Sequence, residues 1–175
     1  EKVLAKYPLI SGTAYTEMMT SRMAPRGNMI IKGFILSESG TTNGYNGSES
    51  TLRSRPVSKR FVDVFVEKEK DIRYALSFNN KREHTKYGFG CMRSAEMQLI
   101  FAESLYHSGD APGALVALNE LRRNRITDVV DYTMETLPAV NPDEYIRVDV
   151  NGEPLTPLLN SILDERRKEL FMEGD

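Results

Sequence analysis

The apolar positions of the chain recur with a helical period in its second half. From Arg93 to Ser108, residues Ala95, Leu99, Ala102 and Tyr106 follow at spacings of four, three and four, and Phe101 and Leu105 widen the stripe. That pattern is one face of an α-helix. Gly109 suits the left-handed residue that ends a helix, Asp110 can cap the next one, and Pro112 is tolerated in its first turn. Ala114, Ala117, Leu118 and Leu121 then form a second stripe. So short a turn makes the two helices antiparallel. A third helix is predicted over Thr156–Met172, with Leu159, Ile162, Leu163, Arg166 and Leu170 on one face and Asp164 and Lys168 as an ion pair four residues apart.

The first half is less regular. Glu1–Tyr7 reads as a helix end that Pro8 stops, and Tyr15, Met18, Met19 and Met23 keep a weak helical spacing. Met29–Ser37, MIIKGFILS, is β-branched and apolar between turn residues, which predicts a strand. The stretch ESGTTNGYNGSESTLRSRP that follows is a long surface loop. Pro56–Glu67 has apolar residues at 57, 61, 62, 64, 65 and 66 and is expected to form a short helix capped by Ser58. Asp71–Phe78 is expected as a strand and Asn79–Gly90 as a loop. Asp128–Pro157, rich in Pro, Asp and Val, reads as loop with a small extended piece at Tyr145–Val150.

Composition narrows the function classes. The chain has 175 residues, 40% hydrophobic and 27% charged, with a formal charge of -2. A near-neutral balance argues against non-specific nucleic-acid binding. The one basic cluster, Arg122, Arg123 and Arg125, falls at a helix C-terminus, where cations offset the macrodipole. Cys91 has no second cysteine to pair with, and His84 and His107 are isolated, so neither a disulfide nor a zinc site is expected. No apolar run is long enough to span a membrane. There is no nucleophile motif, metal cluster or phosphate loop of the kind a hydrolase needs, and no cofactor is expected.

Measured from Ala102, Gly109 follows by 7, Ala114 by 12 and Leu118 by 16. This is tetratricopeptide spacing, in which small residues let two helix backbones approach closely. Such a unit does not bury its own face and requires a neighbour. A tetratricopeptide-type scaffold for a peptide or protein partner is therefore one reading.

A second reading is more specific. RSAEMQLIFAESLYHSGDAPGALVALNELRRNR resembles the hallmark hairpin of the SusD/RagB family, through Arg93, Ala95, Glu96, Leu99, Ala102, Glu103, Gly109, Ala114, Leu115, Leu118, Asn119, Arg122 and Arg125. LLNSILDERRKELFMEGD is similar to a later helix of that family, through Ile162, Leu163, Glu165, Arg166, Glu169, Leu170, Glu173 and Gly174. PVSKRFVDVFVEKEKDIRYALSF resembles an earlier segment, through Pro56, Ser58, Val62, Asp63, Phe65, Asp71 and Arg73. Three blocks in the family's order separate this reading from a plain repeat array.

The resemblance implies a mainly α fold: a tetratricopeptide-like hairpin and packed helices, with an irregular loop-rich lobe and minor β. It implies a single domain or fragment, with residues 1–92 as the loop-rich lobe and 93–175 as the helical scaffold part. It also implies a non-enzymatic lipoprotein of the Bacteroidetes outer membrane, surface-exposed and held by a lipid anchor absent from this chain. Such a protein binds an oligosaccharide or other nutrient and delivers it to a SusC-like TonB-dependent transporter. Family members are longer, and their pattern continues beyond Asp175, so a C-terminal-half fragment is expected.

No family motif assigns the ligand contacts. Sugars present flat C–H faces and rims of hydroxyls, which aromatic rings and Asn or Asp side chains match. The candidates on loops are Tyr45 with Asn43 and Asn46, and Tyr87 with Phe89 in KYGFG. The alternative for each ring is a place against the protein's own surface. Glu165 and Glu169, although a carboxylate pair, are expected with Arg93, Glu96 and Arg166 to lock helix against helix.

Overall fold

The computed structural model describes residues 2–20, 29–33, 56–83, 89–144 and 146–171. Among these residues it is mainly helical. The elements are α1 (Lys2–Lys6), α2 (Gly12–Thr20), β1 (Met29–Gly33), α3 (Lys59–Val62), α4 (Ile72–Ser77), β2 (Phe89–Arg93), α5 (Ser94–His107), α6 (Ala111–Arg123) and α7 (Pro157–Leu170). β1 and β2 form a two-stranded antiparallel ribbon with Met29 opposite Arg93 and Gly33 opposite Phe89.

The predicted hairpin is present. α5 and α6 lie against each other, and α7 docks on α5. Ala95, Leu99 and Ala102 of α5 join Ala114, Ala117, Leu118 and Leu121 of α6 and Leu158 and Ile162 of α7 in one buried cluster. Ala102 and Ala114 are 1% and 0% exposed, so both close-approach positions are methyl-sized because nothing larger fits. Gln98 adds a polar cross-link, its Nε2 donating to the Ala117 carbonyl at 2.8 Å.

The turn between them closes as its residues demand. Gly109 sits at φ +88°, its N–H donates to the Tyr106 carbonyl and that of Asp110 to the Leu105 carbonyl, which is a Schellman closure. Asp110 then accepts from the Gly113 N–H at 2.9 Å. A Cβ on Gly113 would stand 2.3 Å from Asp110 Oδ2, so Gly113 keeps the cap in place. Asp110→Ala is expected to cost about 1 kcal/mol, as loss of an N-cap does. A denaturant midpoint equal to that of the parent would refute it.

Several expectations change. Asp71–Phe78 is not a strand: Ile72–Ser77 is helix α4, because Asp71 caps it by accepting from the Arg73 N–H. Its Ile-Arg-Tyr-Ala alternation arises because Arg73 is buried by ion pairing, not exposed as a polar strand position. The Pro56–Glu67 helix shrinks to four residues, and Ser58 makes no side-chain cap bond. The chain leaves the helix at Asp63, and Val66 is 74% exposed. Phe89 and Gly90 belong to β2 rather than to a loop, paired with Gly33 and Lys32. Of the Met29–Ser37 strand, Met29–Gly33 is strand, and residues 34–37 lie outside the described residues, as does Met23. The described residues of 128–156 contain an isolated bridge between Val148 and Pro154 but no helix, and Tyr145 of the predicted extended piece lies outside the described residues.

Helix α7 is capped by Thr156, whose Oγ1 accepts from the Leu159 N–H. Its buried face is rotated from the predicted one. Leu158, Leu159, Ile162 and Leu170 are buried together with Glu165 and Glu169, whereas Leu163 and Arg166 are half-buried. The Asp164–Lys168 pair gives way to bonds from Arg167 to Asp164 and from Lys168 to Glu165. Two smaller clusters complete the interior: Tyr15, Met18 and Met19 of α2, and Val62, Phe65 and Phe78 beside α3 and α4. The Phe65, Tyr74 and Phe78 rings meet edge to face, the Tyr74–Phe78 pair at 4.9 Å between centroids.

Candidate functional site

The chemistry of the described residues concentrates where α7 meets the rest of the chain. Glu169 is 0% exposed. Its Oε1 accepts from Arg93 Nη1 at 2.6 Å, Arg125 Nη2 at 3.1 Å and the Tyr15 hydroxyl at 3.3 Å. Its Oε2 accepts from Arg125 Nε at 2.8 Å and Arg73 Nη1 at 3.3 Å. One carboxylate therefore ties α2, α4, the β2–α5 junction and the end of α6 to α7. Arg93 Nη2 also donates to the Glu169 carbonyl, and Arg125 Nη1 to the Ile10 carbonyl. The Arg125 guanidinium lies 4.0 Å from the Tyr15 ring centroid.

A second set of ions continues from the first. Arg73 makes a two-point contact with Asp71, through Nε at 2.9 Å and Nη2 at 2.7 Å. Its Nη2 also stands 2.7 Å from Glu165 Oε2. Glu165 Oε1 accepts from Lys168 Nζ at 2.9 Å, and Lys168 reaches Glu67 at 3.7 Å. Burial by itself would raise the carboxyls of Glu165 and Glu169. The cations win: Arg73 and Lys168 bring Glu165 down to about 2, and Arg125, Arg93 and Arg73 hold Glu169 well below the usual range. Burial and the Glu169 charge push the Tyr15 phenol up.

The basic cluster at the end of α6 does more than offset a helix dipole. Arg123 stays on the surface with Glu120 and Asp131, while Arg122 and Arg125 turn inward. Arg122 donates to Glu67 Oε1 at 3.0 Å and to the Val130 carbonyl at 3.1 Å, and its guanidinium stacks 3.4 Å from the Tyr132 ring centroid. Asn119 clasps the Tyr132 backbone from both sides, Nδ2 donating to the carbonyl and Oδ1 accepting from the N–H, each at 2.9 Å. The Asn-x-x-Arg of the hairpin thus anchors the segment that follows it.

Arg166 proves less central than its place in DERRKEL implied. It pairs with Glu103 at 3.0 Å, with side chains 23% and 33% exposed. A pair so open to water is screened. Arg166→Ala is expected to shift stability by roughly 0–1 kcal/mol, and a loss as large as that of a Glu169 variant would refute this.

Beside the ionic cluster lies a cleft of ≈ 470 Å³ between α3 with its following turn, the 132–144 segment and α7. Asn160, Asp164, Glu165 and Lys168 form its α7 wall, and Tyr132, Asn141 and Asp143 face them. No sequence pattern marks these residues, because three remote segments supply them. Among the described residues no group of His, Cys, Asp and Glu is placed to hold a metal ion, and no helix is long and apolar enough to cross a membrane.

Of the ligand candidates read from the sequence, Phe89 alone falls among the described residues. Tyr45, Asn43, Asn46 and Tyr87 lie outside the described residues, and Phe89 opens β2.

Comparison with curated proteins and with solved structures finds no match. A family model described as the SusD family matches residues 24–175. The match includes the Arg-lined hairpin and the Glu-bearing helix that docks on it. The chain belongs to the SusD family, whose members bind glycans and related nutrients at the cell surface.

Proposed function

We propose that this chain captures a glycan or related nutrient at the outer-membrane surface and delivers it to a SusC-like TonB-dependent transporter, without catalysing a reaction. In this reading a lipid anchor holds the protein to the membrane. The single observation that carries the reading is the family match over residues 24–175. The buried Arg–Glu cluster agrees with it in kind. Its carboxylates are consumed by guanidinium partners, so Glu165 and Glu169 act as braces and not as a glycosidase pair.

The loop aromatics Tyr45, Tyr87 and Phe89, with Asn43 and Asn46, supply ligand contacts in this reading. The chemical support is the match between ring faces and sugar C–H faces, and between amides and hydroxyls. A glycan array probed with the chain should return one class of oligosaccharide, and Tyr45→Ala should bind it more weakly at an unchanged melting temperature. An affinity equal to the parent's removes Tyr45 from the site. An array on which the parent binds nothing removes the nutrient reading. Co-purification of a TonB-dependent transporter from the native membrane tests the delivery step.

A further inference from the structure

We infer that one edge of the 146–155 hairpin is a self-association surface, on which a second copy of this chain pairs strand to strand, antiparallel about Val148. The pairing uses none of the residues proposed for nutrient contact and goes beyond that reading.

The hairpin is built and held to the scaffold. The Asp149 N–H donates to the Glu153 carbonyl at 2.8 Å and the Leu155 N–H to the Arg147 carbonyl at 2.9 Å. Asp149 Oδ1 locks the turn by accepting from the Asn151 and Glu153 N–H groups, at 2.8 and 3.0 Å, and Gly152 takes φ +85°. At its base Leu155 is buried, and the Thr156 hydroxyl that caps α7 donates to the Tyr106 hydroxyl at 3.0 Å.

These bonds decide which backbone groups remain open. Arg147 and Asp149 turn their bonding groups towards the returning strand, so Val148 between them turns its N–H and carbonyl outward. None of the described residues bonds to either group. The opposite edge is blunted: Pro154 bridges to Val148, and its outward nitrogen carries no hydrogen. One edge is therefore blocked and the other is free to pair. The free strand carries three exposed β-branched side chains, Ile146, Val148 and Val150, at 63%, 50% and 92%. An unpaired edge with such side chains is a template for another strand, and a lone two-stranded hairpin gains from one.

The strand is complementary to itself. With Val148 opposite Val148 of the second copy, the two residues exchange both backbone bonds. Arg147 then stands opposite Asp149 of the second copy, and Asp149 opposite its Arg147, while Ile146 meets Val150 on the other face. A two-fold axis through Val148 makes each of these matches twice. A parallel, in-register alignment would instead set like charges side by side. The charge pattern therefore selects both the antiparallel direction and the register.

The test is sedimentation velocity on the 175-residue chain over a concentration series from micromolar to millimolar, because a contact confined to one strand edge is weak. The parent is expected to move from monomer to dimer along the series. Val148→Pro removes the outward N–H and leaves both hairpin bonds intact, so it should weaken self-association by at least about ten-fold. Arg147→Glu puts two carboxylates opposite each other in both symmetric pairs and should weaken it by at least about five-fold. It keeps the backbone unchanged, so it decides the matter if the proline variant fails to fold. A parent that stays monomeric throughout overturns the proposal. So does a dimer, or any larger assembly, that a folded Arg147→Glu variant forms as readily as the parent.

Discussion

Glu169→Ala is expected to destabilise the chain by about 3–5 kcal/mol, the cost of removing one partner from a buried ion pair. Against a total of about 5–15 kcal/mol for an ordinary domain, that is a large share. The reason is the number of charges left behind. Arg73, Arg93 and Arg125, each no more than 3% exposed, all face this carboxylate. Deleting it takes one carboxylate away from three buried guanidinium groups at once, of which Arg73 keeps Asp71 and Glu165 as counter-charges. Glu169→Gln keeps the shape and some acceptor capacity but removes the charge, so it should fall between parent and Ala. Urea unfolding of the three proteins at pH 7 measures the order. Midpoints that coincide would show that the cluster is solvated and that α7 does not depend on it. Arg166→Ala serves as the exposed-pair control on the same helix.

Acid should unfold this protein over a definite range. The Glu165 carboxyl lies at about 2 in the folded chain against an ordinary 4.5, and Glu169 is displaced the same way. A carboxyl depressed by folding leaves the unfolded chain binding more protons at intermediate pH. Its contribution is therefore complete above about 4.5 and is lost as the pH falls towards 2 and below. For Glu165 the difference corresponds to about 3 kcal/mol, and Glu169 adds in the same direction. Lys168 runs opposite: its folded amine is raised, because the Glu165 and Glu67 charges outweigh the lowering effect of burial. Its share is present at neutral pH and is lost only in strong base. Stability from denaturant midpoints at pH 7, 5, 4 and 3 should hold to about pH 5 and then fall steeply. Glu165→Gln should be less stable at pH 7 and show a shallower fall. A parent profile flat to pH 3 would show that these carboxyls are not held by their partners.

How much of this was legible in the sequence differs by element. Helices α5, α6 and α7 were, because each carries its own apolar face and its own stop and start residues, and these are local facts. Gly109 and Asp110 announce the turn without reference to anything distant. The braces were legible as residue types but not as pairings. Arg73, Arg93 and Arg125 reach Glu169 across 96, 76 and 44 residues, and no spacing rule links positions so far apart. Asp71–Phe78 shows the cost. A buried Arg in a short segment imitates strand alternation, and only the partner that buries it reveals the helix.

The cleft was not legible at all. Lys59, Asp63, Asn141, Asp143 and Asn160 are ordinary surface-type residues in three unrelated stretches, and they come to line one cleft only when α7 docks. The sequence by itself determined the hairpin, its tight alanine crossing and the family to which the chain belongs, because periodicity and capping act within a few residues. The tertiary structure alone decided which face of α7 is buried, which carboxylate gathers the arginines and which segments line the cleft beside them. Those outcomes depend on desolvation and on charge pairing between remote segments, and both exist only once the chain has closed on itself.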